Sequence, residues 1–223
     1  MQTWNDKNKA IDSWQVLRIQ SEFVRGFDTL FELGPSVCVF GSARTREEEH
    51  WYQEAKVFGN IMGREGFSII TGGGPGIMEA VNLGAKEAGA NSVGVGIELP
   101  FGAQMNSYVT TGITCRYFFT RKVMFLKYSQ AFVVFPGGLG TLDELFETLT
   151  LSQTGHAPKF PIILVGSQYW SGLFDWLKST VLESKKMCQE DFNLFRIVDT
   201  SKEARDKIME FQEKYRKENQ INF

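Results

Sequence analysis

Two glycine-rich runs are the places where this sequence could do chemistry. The first is Pro136-Gly137-Gly138-Leu139-Gly140-Thr141, which breaks the apolar run Ala131–Phe135 and opens a helical pattern. Three glycines in four residues let successive backbone N–H groups turn into one concavity. A helix beginning there adds partial positive charge, so the turn suits a phosphate or another anion. It is neither G-x-G-x-x-G nor a Walker A loop, which needs Lys after its last Gly. The second run is Gly72-Gly73-Gly74-Pro75-Gly76, directly after Phe67–Ile70 and Thr71. A tight strand-to-helix turn accounts for its glycines alone, but two such turns in one chain favour a shared anionic ligand.

The charged candidates stand beside these runs. Thr141-Leu142-Asp143-Glu144 fits a capping box, and the same Thr-x-x-Glu spacing recurs at Thr45 and Thr200. The other reading makes Glu144 a working carboxylate beside the glycine turn. Glu144, Glu147 and Thr150 recur at three-residue spacing near one helix stripe, with Leu142, Leu145, Phe146 and Leu149 on the core-facing side. Arg121-Lys122 is either a solvated basic pair or a phosphate-facing one. Neither choice is decided by spacing. His50 and His156 belong to no metal motif, so no metal site is expected. Cys38, Cys115 and Cys188 are too scattered for a disulfide framework or a zinc spacing.

These residues need a scaffold. The chain has 223 residues and a net charge of -2, which suits one large α/β domain and gives no nucleic-acid-binding surface. No signal peptide or membrane span is evident, so a cytoplasmic protein with no membrane partner is expected. Lys7–Glu32 has apolar residues at three- and four-residue spacing and reads as one or two amphipathic helices, ended by Gly34-Pro35. Strands are expected at Ser36–Phe40, Phe67–Ile70, Ser92–Ile97, Ala131–Phe135 and Pro161–Val165, with Phe195–Val198 a short edge strand or a loop. Helices are expected from Thr45 to about Arg64, from Pro75 to about Gly89, over Arg116–Ser129 with Phe119, Val123 and Leu126 on one stripe, after Thr141, over Tyr169–Glu183, and after Thr200. Glu98–Thr114 reads as a long loop of the kind that covers binding sites. Alternating strands and helices predict a Rossmann-like, doubly wound parallel sheet with helices on both faces. The divisions are a helical extension over 1–34, a nucleotide-binding catalytic domain over 35–213 and a tail over 214–223. Gly41-Ser42 and both glycine runs each follow a strand, so all three should meet at one sheet edge.

At these residues the sequence resembles the LONELY GUY family of cytokinin-activating phosphoribohydrolases, much of which was long labelled possible lysine decarboxylase. The family pattern PGGxGTxxE matches Pro136–Glu144, GGGxxGxM matches Gly72–Met78, and an Arg-Lys pair at the family's spacing matches Arg121-Lys122. The resemblance spans roughly Ser36 to Asp199. The longer segment before Arg121 resembles a bacterial subgroup with extra N-terminal helices and is expected to shape the base pocket. The resemblance implies hydrolysis of the N-glycosidic bond of AMP or an N6-modified AMP, without metal or redox cofactor. Arg121 and Glu144 would be the catalytic pair. Gly73, Gly74, Met78, Lys122, Gly137, Gly138, Leu139, Gly140, Thr141, Leu142, Asp143, Glu147 and Thr150 would bind substrate. It also implies a homodimer. The alternative is a non-catalytic carrier of the same fold, such as the molybdenum-cofactor carriers.

Overall fold

A computed structural model describes residues 6–99, 104–156 and 159–219. The element order is α1 (Asp6–Leu30), β1 (Ser36–Phe40), α2 (His50–Arg64), β2 (Ser68–Thr71), α3 (Ile77–Glu87), β3 (Ser92–Ile97), β4 (Thr111–Cys115), α4 (Phe118–Tyr128), β5 (Ala131–Val134), α5 (Leu139–Gln153), β6 (Ile162–Val165), α6 (Ser167–Trp176), β7 (Phe195–Val198) and α7 (Ser201–Asn219). The strands form one sheet in the order β4-β3-β2-β1-β5-β6-β7. Every pairing is parallel. The expected doubly wound sheet is what the chain builds.

The central strands read as unbroken apolar runs because both faces are covered. Alternate residues feed two cores. Cys38, Phe40, Phe132 and Val134 pack with Leu30, Met124, Phe125, Leu145, Trp170 and Phe174 from α1, α4, α5 and α6. Val37, Val39 and Val133 pack with Phe58, Met62, Ile77, Val81, Ala204 and Ile208 from α2, α3 and α7. The Phe40↔Val134 register brings the carboxyl ends of β1 and β5 level, and the Phe135 N–H reaches the Phe40 carbonyl at 2.9 Å. Strand order reverses between these two, which leaves a crevice above them.

Several expectations need correction. The segment expected as loop ends in a strand, β4, whose buried Ile113 and Cys115 alternate with exposed neighbours on the sheet edge. The Phe195–Val198 alternatives resolve to a parallel edge strand, β7. No capping box opens α2 at Thr45. Turns at residues 43–44 and 47–48 lead into it, the helix starts at His50, and the Glu49 carboxylate accepts from the Arg46 N–H at 2.8 Å. Pro75 precedes α3 rather than starting it, because Gly76 takes the cap position. On α4 the buried stripe is Thr120, Met124 and Phe125, while Phe118, Phe119 and Val123 are exposed. Phe146 on α5 is likewise partly exposed rather than core-facing. The Thr200–Glu203 cap is present: the Glu203 N–H donates to the Thr200 hydroxyl at 3.2 Å and the Asp199 N–H to the Glu203 carboxylate at 2.9 Å. The N-terminal pattern forms one helix, α1, and no described helix is long and apolar enough to cross a membrane. Residues 100–103 of the expected covering loop and 220–223 of the expected tail lie outside the described residues.

Candidate active site

The three strand-end loops meet on one residue, Ser42. Its N–H donates to the Pro136 carbonyl at 3.0 Å, and its carbonyl accepts from the Ile77 N–H at 2.9 Å. Its hydroxyl accepts from the Arg44 N–H at 3.0 Å. The approach is close enough that the loops require glycine. Gly76 has φ +69, and a side chain there would run into the Ser42 carbonyl.

A cavity of about 880 Å³ opens above this junction. Gly137 to Thr141 form one wall. Gly138 is the N-cap of α5, so the first N–H groups of that helix have no carbonyl partner within it. Side chains added at Gly138 or Gly140 would meet nothing within 4 Å. The wall therefore presents bare backbone and the positive end of a helix dipole to open space, which suits an anion.

Arg121 and Glu144 line the same cavity from α4 and α5. The Arg121 Nε–H donates to the Val95 carbonyl at 2.7 Å and an Nη2–H to the Gly72 carbonyl at 3.4 Å, with the guanidinium 5.1 Å from the Phe125 ring centroid. A side chain at Gly72 would occupy the place of that guanidinium. Burial lowers the Arg121 pKa, and the charge of Glu144 opposes the change; a guanidinium so placed remains charged at neutral pH.

Glu144 is 7% exposed. It sits inside α5 rather than at its start, so the capping-box reading does not hold. Burial raises its pKa above the ordinary carboxylate range, although the Lys122 ammonium and the Arg121 guanidinium pull the other way. Lys122 lies among three carboxylates, 2.9 Å from Asp143, 3.2 Å from Glu144 and 2.5 Å from Glu147. Burial works against its charge, but the ion pairs with Glu147, Asp143 and Glu144 outweigh this and raise its pKa.

The other candidates divide. Met78, Gly137, Gly138, Leu139, Gly140 and Thr141 line the cavity. Lys122, Asp143 and Glu147 form the charged cluster behind Glu144 rather than the lining. Leu142 packs against the core, and the Thr150 hydroxyl donates to the Phe146 carbonyl of its own helix. Gly73 and Gly74 lie below, where the Asn106 amide donates to their carbonyls at 3.2 and 3.0 Å. Among the described residues no group of His, Cys, Asp and Glu is placed to hold a metal ion.

The family model described as possible lysine decarboxylase matches residues 78–208. The cytokinin riboside 5'-monophosphate phosphoribohydrolase of Mycobacterium tuberculosis is 31% identical over 172 residues, 76% of this chain and 90% of that protein. The chain belongs to the LONELY GUY family. The enzyme of the same name, LOG3, from Arabidopsis thaliana is 28% identical over 151 residues, covering 66% of this chain and 69% of its own. The fold also matches solved structures at lower identity. A molybdenum cofactor binding protein from Rippkaea orientalis has a TM-score of 0.61 at 20% identity, covering 79% of this chain and 96% of that one. The molybdenum cofactor carrier protein of Chlamydomonas reinhardtii has a TM-score of 0.58 at 23% identity, with the same coverage.

The LONELY GUY motifs do not contain every lining residue. Arg44, Thr45, Trp51 and Tyr169 also border the cavity. The Tyr169 hydroxyl donates to the Gly137 carbonyl at 2.6 Å and so holds the glycine wall from the β6 side. No spacing marks Arg44, Trp51 or Tyr169, and the spacing at Thr45 pointed to a helix cap and not to the cavity. The rule that located the glycine loops, nearness to a strand's carboxyl end, applies equally to Arg44 after β1 and Tyr169 after β6.

Proposed function

We propose that this protein hydrolyses the N-glycosidic bond of AMP or an N6-modified AMP, releasing the base and ribose 5-phosphate. The observation that carries the reading is that Arg121 and Glu144, on different helices, line one cavity with a bare glycine wall at a helix N-terminus. The names of the relatives at 28–31% identity agree with it.

In this reading the 5'-phosphate sits on the N–H groups that begin α5. Arg44 supplies its counter-charge, since Arg121 already donates to Val95 and Gly72. As the base departs, C1' of the ribose becomes electron-poor. The ionised Glu144 stabilises that charge and orients a water toward C1'. The water's oxygen bonds to C1' as the C1'–N bond breaks; the water gives up one proton to Glu144, the leaving nitrogen of the base takes up one proton, and the net change is the addition of one water. Arg121 steadies the ribose hydroxyls. Lys122 keeps Glu144 ionised despite its burial and is itself held by Asp143 and Glu147.

The test is base release from AMP and from isopentenyladenosine 5'-monophosphate, separated chromatographically. Release that is lost in Glu144→Gln supports the reading. Tight AMP binding without release by the wild type would instead favour a nucleotide- or cofactor-binding carrier, a role that the names of the structural neighbours suggest. We also propose a homodimer, supported by the exposed aromatic side chains of α4 and α5.

A further inference from the structure

We infer that Glu22 of the N-terminal helix is a positioning residue for Arg121. The inference rests on the proposed phosphoribohydrolase reading, and it concerns a residue outside the family match at 78–208.

Glu22 is a carboxylate only 9% exposed, and an acid buried this far needs partners. It finds them across the fold, at the start of α4. One oxygen accepts from the Arg116 N–H at 2.9 Å, and the other from the Tyr117 N–H at 3.4 Å and the Thr120 hydroxyl at 2.6 Å. No side chain of α4 itself caps that helix. Glu22 does so from another element, where a negative charge also meets the positive end of the helix dipole.

The connection continues to Arg121. The Tyr117 carbonyl accepts from the Arg121 N–H at 3.3 Å. Tyr117 is thus held by Glu22 on its N–H side and holds Arg121 on its carbonyl side. Two further contacts fix α1 in place. The Arg25 guanidinium donates to the Thr114 carbonyl at 2.7 Å, just before this segment. Gly26 lies so close to α4 that a side chain there would meet the end of Met124. Freed from Glu22, the first turn of α4 can fray, and a displacement of about 1 Å at a catalytic group costs as much as a hundredfold in rate.

The experiment is a double-mutant cycle of Glu22→Ala and Arg121→Ala, with Glu22→Gln beside it. Base release and AMP affinity by calorimetry are both read, each well below the variant's melting temperature. In the wild-type background Glu22→Ala should lower kcat about tenfold with KM within about twofold. Glu22→Gln, which keeps one carbonyl acceptor, should recover much of that loss. In the Arg121→Ala background Glu22→Ala should add nothing. A merely structural role would lower the melting temperature and leave kcat alone, which would overturn the inference, as would additivity with Arg121→Ala. If Glu22→Ala does not fold, Glu22→Gln and Thr120→Val carry the same cycle, with a smaller kcat loss that again vanishes with Arg121→Ala. If the wild type releases no base, the phosphoribohydrolase reading fails. Hydrogen exchange then decides alone: faster exchange of the Arg121 amide, which donates to the Tyr117 carbonyl, in Glu22→Ala upholds the positioning role, and unchanged exchange overturns it.

Discussion

At the scale of single residues, Glu144 unites two opposed demands. Its chemistry needs a charge, and its burial resists one. The raised pKa fixes the sign of two outcomes. The folded chain holds the Glu144 proton more tightly than the unfolded chain does. The group therefore favours folding below the ordinary carboxylate range, and that contribution is lost as pH rises through the folded value. Glu144→Gln should thus melt no lower than wild type at pH 8, since Lys122 keeps Asp143 and Glu147 as partners. Any advantage should shrink toward pH 4, as differential scanning fluorimetry would show. Activity should move oppositely. Wild-type kcat/KM should fall on acidification with a midpoint above the ordinary carboxylate range, and Glu144→Gln should lose roughly 10²–10⁴-fold in kcat. A Gln variant with full turnover would remove Glu144 from the mechanism. Arg44 gives a contrasting signature. If it holds the phosphate, Arg44→Ala should raise KM for the nucleotide about tenfold and leave kcat within about twofold, measured by initial rates.

At the scale of elements, the glycines of the two runs serve different ends, and substitution separates them. Gly76 has a positive φ against the Ser42 carbonyl. Gly76→Ala should cost about 1–3 kcal/mol, read from denaturant unfolding. Gly138 has an ordinary φ and open space where a side chain would stand. Gly138→Ala should leave stability within about 0.5 kcal/mol and still weaken AMP binding, because the methyl fills the wall where the phosphate is proposed to sit. Equal affinity in that variant would argue against the phosphate position. The runs were legible in the sequence because glycine is the one residue that allows both uses. Periodicity located the central strands for a related reason: burial on both faces makes them uniformly apolar. It failed for β4, whose alternation of Ile113 and Cys115 with exposed residues is short and interrupted by Gly112. The capping spacing at Thr45 likewise misplaced the start of α2, where a non-helical segment with turns at 43–44 and 47–48 brings Arg44 and Thr45 to the cavity. Glu22 was invisible for a different reason. Its partners lie 94 to 98 residues away, and no local spacing announces a cap delivered across the fold.

At the scale of the whole molecule, α4 is the element on which separate parts of the structure converge. Its inner side carries Arg121 to the cavity and Met124 and Phe125 to the core. Its first turn is held by Glu22 from α1. Its outer side exposes Phe118, Phe119 and Val123, and Leu139 and Phe146 are exposed on α5 nearby in sequence to Glu144, the proposed catalytic carboxylate. Large apolar side chains gathered on the helices that bear the proposed catalytic pair are poorly placed for water, and a second copy of the chain would cover them. Light scattering at micromolar concentration should accordingly give twice the chain mass of 25.3 kDa. Phe118→Asp with Val123→Asp should shift the mass toward one chain, because a self-complementary interface meets each new charge twice. Phe119 is left intact in that test, since its ring stacks on Tyr117 at 5.3 Å and so supports the link from Glu22 to Arg121. If the monomeric variant also loses turnover while its Glu22 contacts remain, α4 needs support from both sides. If it keeps turnover, the α1 cap suffices to hold Arg121. A wild-type mass of one chain would remove the dimer and leave the exposed face of α4 to another partner.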